Sequence, residues 1–178
     1  MDTLTPRYRP ALRYGHWIGA LLVILAYTAV IAHEFYPRGS PQRSLAMQYH
    51  YLFGIAVLLL TLPRVFVRLR TAPPPVSPPL AKPMWVLAKI THLALYAFLV
   101  VQPLLGLTMR QLAGRSTPLP FADWVIPAFL TANKALGERL EDVHVALGTA
   151  FYAVIGLHIL AALYHAFVRR DDVLRRIM

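Results

Sequence analysis

Four long apolar segments constrain the fold of this 178-residue chain more than any other feature. They cover approximately residues 14–33, 49–69, 87–109 and 143–168. A helix needs roughly 20 mostly apolar residues to cross a bilayer, and backbone groups in lipid must find hydrogen bonds inside the protein. Continuous apolar runs without strand-like alternation therefore predict an all-α, integral membrane four-helix bundle, formed by a single domain over residues 1–178.

The composition supports this fold class. The chain is 57% hydrophobic and only 15% charged, which is too apolar for an ordinary soluble domain. Its net charge of +10 does not indicate a nucleic-acid partner, because the basic residues flank the apolar segments. The chain has no cysteine, which excludes disulfides, iron-sulfur clusters and thiolate haem ligands. Any metal must therefore use histidine or oxygen ligands.

The distribution of Lys and Arg predicts the orientation in the membrane. Four spans place both termini on one side, and that side carries 12 of the 18 basic residues. Because Lys and Arg accumulate in cytoplasmic segments, both termini of this multi-pass membrane protein are predicted to be cytoplasmic. Arg7, Arg9 and Arg13 precede the first apolar segment as in a signal peptide, but the length of that segment indicates a retained span.

Two connections between spans have distinctive compositions. The segment 71–83 contains six prolines, so it cannot be helical and is predicted to be an extended cytoplasmic spacer. The longest connection, 110–140, lies on the opposite side and is predicted to cover the periplasmic mouth of the bundle. Its apolar residues suit the membrane interface: Phe121, Trp124, Val125, Ile126 and Phe129.

Histidines within the spans are the strongest functional signal. Six of the seven lie inside a span or at its end: His16, His50, His92, His144, His158 and His165. A lone membrane histidine is usually a hydrogen-bonding or interfacial residue, but ionisable groups in lipid are costly and mostly functional. Six together favour a bound cofactor. The seventh, His33 beside Glu34, is expected to be a solvated residue at a helix end.

The spacing of these histidines predicts two cofactors at two depths. His144 and His158 are 14 residues apart, which places them on one helix face about 21 Å apart. His50 enters its span from the same side as His144, and His16 enters from the side of His158. We therefore pair His50 with His144 and His16 with His158. Two imidazoles fill both axial positions of a haem iron, giving a low-spin electron carrier, so two b-type haems are expected.

Glycines accompany three of the four ligands. Gly54 and Gly148 follow His50 and His144 by four residues, and Gly19 lies about one turn beyond His16. A missing side chain at this position would leave room for a porphyrin beside the helix. Ordinary close packing of helices is the alternative explanation.

Other polar residues near the predicted cytoplasmic level have more than one interpretation. His92 and His165 either compete as ligands of the inner haem, bind the carbonyl oxygens of a quinone and transfer its protons, or are structural. Arg64 lies 14 residues after His50, where it binds haem propionates or extends to lipid headgroups. On the opposite side, four arginines either attract a small anion or anchor helices: Arg38, Arg43, Arg110 and Arg115.

Several motifs resemble those of the bacterial cytochrome b561 family, and the resemblance runs nearly end to end. These are R-Y-G-H-W, Y-H-Y-L-F-G, P-R-V-F-V-R-L-R-T-A-P-P-P, T-H-L-A-L-Y and V-I-G-L-H followed by A-A-L-Y-H. The resemblance implies four helices, two b haems and a quinone partner, with His16, His50, His144 and His158 as haem ligands. It also implies that His92 and His165 lie near the quinone. The long far-side connection departs most from the family pattern.

These observations support one main hypothesis and two alternatives. The main hypothesis is that electrons from a periplasmic donor, for which the family resemblance implies superoxide, reach ubiquinone through the haems held by the four ligands. One alternative is a cytochrome b subunit that relays electrons for a separate dehydrogenase or hydrogenase. The other is a metal or proton transporter that uses membrane histidines and binds no haem.

Overall fold

The computed structural model describes residues 7–121 and 124–178 and contains four long helices in these ranges. They are α1 (Pro10–Glu34), α2 (Pro41–Leu69), α3 (Lys82–Leu112) and α4 (Lys134–Tyr164), and a π-helical turn (His165–Arg169) continues α4. The first three each contain one of the predicted apolar segments, and α4 together with its π-helical turn contains the fourth. All are long and apolar enough to cross a membrane. The predicted all-α membrane bundle is confirmed.

Local sequence signals explain where the helices begin. α1 and α2 start at a proline and α3 has a proline in its first turn, where the missing N–H costs no helical hydrogen bond. Ser40 Oγ accepts from Arg43 N at the start of α2, and Asn133 Oδ1 accepts from Leu136 N at the start of α4. Both are N-caps, and they begin these helices well before the apolar segments do.

The long connection is shorter than predicted. α3 continues to Leu112 and α4 already begins at Lys134, so the connection is 113–133 rather than 110–140. Part of it forms an antiparallel pair of two-residue strands, β1 (Thr117–Pro118) and β2 (Val125–Ile126). Phe121, Trp124 and Phe129 are exposed, as the predicted interfacial position requires.

The helices pack mainly with their neighbours in the chain. α1 packs on α2, α2 on α3 and α3 on α4. Within the described ranges, the backbone of α4 does not come close to that of α1 or α2 over any extended stretch. No residue in the apolar window of α4 is buried. The exposed residues include large aliphatic side chains such as Leu59, Leu93 and Leu157, which suits helix faces surrounded by lipid.

The first described residues and the C-terminal tail meet at one end of the bundle, here named the termini end. Tyr8 N donates to Arg176 O at 3.0 Å, and Trp17 Nε1 donates to Ile177 O at 3.1 Å. The connection 70–81 lies at this end as well, and the connections 35–40 and 113–133 lie at the opposite, far end. The assignment of the termini end to the cytoplasm stays a prediction from the basic residues.

Candidate haem-binding sites

The far-end histidine pair joins α2 to α4. The ring centroids of His50 and His144 are 6.2 Å apart, and both residues are half-buried. His50 Nδ1 lies 2.9 Å from Ala26 O, and His144 Nδ1 lies 3.1 Å from Gln102 O. An imidazole that donates its Nδ1 proton to a carbonyl keeps the lone pair of Nε2 free for a metal. Each ring could therefore bind a metal through its Nε2.

The second histidine pair, nearer the termini end, joins α1 to α4. The ring centroids of His16 and His158 are 6.3 Å apart. His158 follows His144 by 14 residues on α4, so the two pairs lie at levels about 21 Å apart along the helix. The structure therefore brings together the same partners that the spacing predicts, at two depths.

The separations within both pairs suit an iron held between two imidazoles. A ligating imidazole nitrogen lies about 2 Å from its metal, and the ring centre lies about 1 Å behind that nitrogen. Two imidazoles on opposite sides of one metal therefore have centres roughly 6 Å apart. The observed 6.2 and 6.3 Å match this value, so the spacing of the rings fits bis-histidine haem ligation at both levels.

Arg64 points into the bundle beside the His16 pair. Its Nη2 lies 3.2 Å from His16 Nδ1, and its guanidinium is 5.2 Å from the centre of the Tyr96 ring. Its side-chain stem lies over Gly15, where a Cβ would be 3.3 Å from Arg64 Cδ. Arg64 Nε is buried with no acceptor among the described residues. A buried guanidinium donor without a partner suits the carboxylate of a haem propionate.

The glycines near the ligands differ in their surroundings. Beside Gly54 no described atom lies within 4 Å of an added Cβ, which suits the room that a porphyrin needs. Beside Gly19 an added Cβ would meet Leu60 at an ordinary 3.7 Å. Beside Gly148, however, the space contains the Gln102 amide, 3.1 Å from an added Cβ. Gly148 therefore makes room for a neighbouring helix.

His92 lies next to the termini-end pair. Its ring centroid is 5.6 Å from that of His158, so His158 stands close to both His16 and His92. His92 is exposed, and its Nδ1 lies 2.6 Å from Ala88 O on its own helix. This bond leaves Nε2 available to a second group, whether an iron or a quinone oxygen.

His165 is held by a buried carboxylate. Its Nδ1 lies 2.6 Å from Asp171 Oδ2, and Arg169 Nε lies 2.8 Å from the same oxygen. The Asp171 side chain is fully buried. The arrangement fixes the ring of His165 against the C-terminal tail and leaves only its Nε2 for another partner.

The C-terminal tail is also bonded to the proline-rich connection, which the sequence predicts to be only a spacer. Ser77 N donates to Asp172 Oδ1 at 3.0 Å, and Arg169 Nη2 donates to Pro79 O at 2.9 Å. Arg176 donates to Pro74 O. The connection is extended as predicted, but it is clamped to the tail. The adjacent acids Asp171 and Asp172 in a basic tail were the available sequence signal for this contact.

Replacing Asp171 by asparagine should destabilise the termini end. The change leaves Arg169 without its buried counter-ion, and breaking a buried pair on one side costs about 3–5 kcal/mol. We expect a lower Tm for the purified protein in detergent and faster proteolysis of the 70–81 connection. Asp142→Asn, an exposed acid on α4, is the control. Equal Tm values for the two variants would contradict this account of the tail.

An arginine at the far end organises the long connection. Arg110 Nη1 donates to Tyr51 OH at 2.7 Å, and its other guanidinium nitrogens bond Thr117 Oγ1 and Ser116 O. Tyr51 is next to His50 in the chain. The connection is therefore anchored beside the far-end pair.

His33 is bonded rather than freely solvated. Its Nε2 lies 3.2 Å from Glu34 Oε1 and 3.1 Å from Arg43 Nη2, and only 16% of its side chain is exposed. Its position at the helix end agrees with the expectation. The expectation that its side chain is solvated was wrong. The ring is partly buried in an ion-pair cluster, because Arg43 of the next helix covers it.

The fold and its two facing histidine pairs define a class of protein, namely a four-helix membrane protein with two pairs of histidines whose spacing suits a metal cofactor. The profile of the prokaryotic cytochrome b561 family matches residues 7–178, and the chain belongs to this family. It is thus a multi-pass, electron-transferring oxidoreductase of the bacterial inner membrane, and membership in a cytochrome b family implies a b-type haem.

Individual relatives match over nearly the whole chain. The protein is 35% identical over 163 residues to a "Probable superoxide oxidase CybB" of Yersinia pestis, covering 92% of this chain and 90% of the relative. It is 30% identical over 167 residues to "Cytochrome b561 homolog 1" of Escherichia coli strain K12, covering 93% of each. It is 27% identical over 177 residues to "Cytochrome b561 homolog 2" of the same organism.

Proposed function

We propose that this chain is a dihaem cytochrome that takes electrons from superoxide at the far end and delivers them to ubiquinone at the termini end. The observation that carries the proposal is that two pairs of histidines face each other, one pair at each of two levels of α4. His50 and His144 hold the outer haem, and His16 and His158 hold the inner one. The far end then faces the periplasm.

The ligand set decides the kind of chemistry. These histidine pairs would each hold a haem b, and a haem held in this way would supply single-electron transfer. The protein contributes the ring orientation at the outer level through the carbonyls of Ala26 and Gln102. At the inner level Arg64 binds the propionates and provides a buried positive charge.

The overall reaction balances electrons and protons. Two superoxide anions each lose one electron and leave as two molecules of O₂. One ubiquinone gains these two electrons and two protons and becomes ubiquinol. The relative that is named a probable superoxide oxidase supports the donor. Basic residues at the far end, such as Arg38 and Arg115, suit the approach of an anion.

His92 and His165 are the proposed quinone-binding residues. Quinone reduction requires hydrogen-bond donors at its carbonyl oxygens and a source of protons. His92 is exposed beside His158, with its Nε2 free of its own helix. His165 is oriented by Asp171, so its Nε2 can act toward a substrate while Nδ1 stays bonded.

Superoxide-driven reduction of the purified protein tests this proposal. We expect added superoxide to reduce the haem in detergent solution and, with ubiquinone present, to form one ubiquinol for every two superoxide anions consumed. Prior addition of superoxide dismutase should abolish both signals. A haem protein that superoxide fails to reduce, but that a co-purifying dehydrogenase or hydrogenase does reduce, would instead establish a relay subunit.

A further inference from the structure

Helices α3 and α4 interlock around His144 through two reciprocal contacts. α3 carries Gln102 and, four residues later, Gly106; α4 carries His144 and, four residues later, Gly148. Residues four apart lie on the same helix face. Because the helices are antiparallel, Gln102 lies opposite Gly148 and Gly106 lies opposite His144. Each helix thus presents one polar side chain and one glycine to the other.

In the first contact, the imidazole of His144 lies directly over Gly106. A Cβ at position 106 would be 3.1 Å from His144 Cε1 and 3.6 Å from Nδ1. The first distance is shorter than an ordinary carbon–carbon contact of about 3.5–4.0 Å. An alanine here would push the ring a few tenths of an ångström away from α3, where its Nδ1 reaches Gln102 O at 3.1 Å.

In the second contact, the amide of Gln102 lies over Gly148. Gln102 Nε2 donates to His144 O at 2.7 Å, and a Cβ at position 148 would be 3.1 Å from this nitrogen. Gln102 therefore bonds to His144 twice. Its side-chain amide donates to the main-chain carbonyl of His144, and its own main-chain carbonyl lies beside the His144 ring. Gly148 is tied in addition to α1, because Tyr27 OH donates to its carbonyl oxygen at 2.8 Å.

We propose that Gln102, Gly106 and Gly148 form a positioning lock that fixes the ring plane of His144 for the outer haem. This inference rests on the proposed dihaem function and assigns residues that support the ligand without touching the iron. Groups behind a metal-bound histidine set its orientation and basicity, and their loss commonly lowers metal affinity about 10–100-fold. His158 makes no hydrogen bond to any described residue, so the lock acts at one level only.

The Gln102→Leu variant tests the lock with little change in side-chain volume. It removes the bond to His144 O while the main-chain carbonyl at position 102 remains. We expect two haems per chain as in the unaltered protein, with about tenfold faster loss of one of them to an apoprotein acceptor. The low-spin ferric EPR signal of that haem should shift, because it depends on the angle between the two axial imidazole planes. The other signal should stay unchanged.

The Gly106→Ala variant should have the larger effect. Its added methyl group would lie 3.1 Å from His144 Cε1 and should push the ring away from α3, so one of the two low-spin EPR signals should shift further than in Gln102→Leu. Thr149→Val is the control, since it removes an exposed hydrogen bond on α4 beside Gly148 and should leave both signals in place.

The outcomes separate this inference from the function on which it rests. If the unaltered protein holds two haems but Gln102→Leu leaves both EPR signals and both release rates unchanged, the lock is refuted and the dihaem proposal stands. Equal changes in both signals would also refute it, because the contacts lie at one level. An unaltered protein with fewer than two haems would refute the proposed function itself.

Discussion

Replacing His50 by alanine is expected to leave one haem per chain instead of two, and His158→Ala is expected to remove the other. Each substitution deletes one of two axial ligands, and the facing histidine, His144 or His16, cannot hold a low-spin haem alone. Haem content measured as the pyridine haemochrome gives the stoichiometry. A redox titration of each variant should then show a single transition, at a different potential in the two variants.

A matched control is available within the same chain. His33→Ala removes a partly buried histidine of α1 that bonds Glu34 and Arg43 and faces no other histidine ring at the pair distance. It should retain both haems. If His50→Ala or His158→Ala also retained two haems, or if either lost both while remaining folded, the assignment of two independent pairs would be wrong.

Replacing Arg64 by methionine is expected to lower the midpoint potential of the inner haem by tens of millivolts. The buried guanidinium beside His16 disfavours the additional positive charge of the ferric state, and its loss also leaves a propionate unpaired. A hydrogen bond to a charged group contributes about 1.5–3 kcal/mol. Because the haem transfers one electron, even part of this free energy is a change in midpoint potential that a redox titration can measure. The outer transition should not move.

Arg68→Met is the corresponding control for Arg64. Arg68 lies one turn further along α2, and its guanidinium donates to Thr71 O in the connection. Its removal should change neither transition by as much as Arg64→Met does. A potential that responds equally to both substitutions would indicate a general surface-charge effect. The proposed propionate contact of Arg64 would then be incorrect.

The fold was predictable because lipid leaves few options for an apolar chain. Long uninterrupted apolar segments must be helices, and the number and order of the four followed directly. α2 and α4 begin several residues before the apolar segments that predict their spans. Their first turns are polar and carry N-caps at Ser40 and Asn133, whereas hydropathy marks only the part of a helix that meets lipid.

The two levels at which histidine rings face each other were also predictable, because a 14-residue spacing on a regular helix determines both depth and direction. The structure adds what spacing cannot supply, namely the distance across the bundle. The closeness of His92 to His158 and the pairing of His165 with Asp171 depend on how α3 and the tail pack. Such contacts between distant segments leave no periodic signal in one sequence.

The glycines show the same limit. Gly54 and Gly148 occupy equivalent positions after a ligand and received one explanation from the sequence, but only Gly54 has open space beside it. The space at Gly148 is filled by the Gln102 side chain of α3. The sequence pattern H-x-x-x-G is the same in both cases, so it cannot reveal this difference. The Q-x-x-x-G spacing of Gln102 and Gly106 becomes meaningful only when the two helices lie side by side.

The most direct test of the central claim is the number of haems bound by the unaltered protein. The purified chain, quantified by amino-acid analysis, is assayed as the pyridine haemochrome. Two facing histidine pairs at separate depths predict two b-type haems per chain. A value of one would mean that one pair is only a structural contact, and a colourless protein would contradict haem binding altogether.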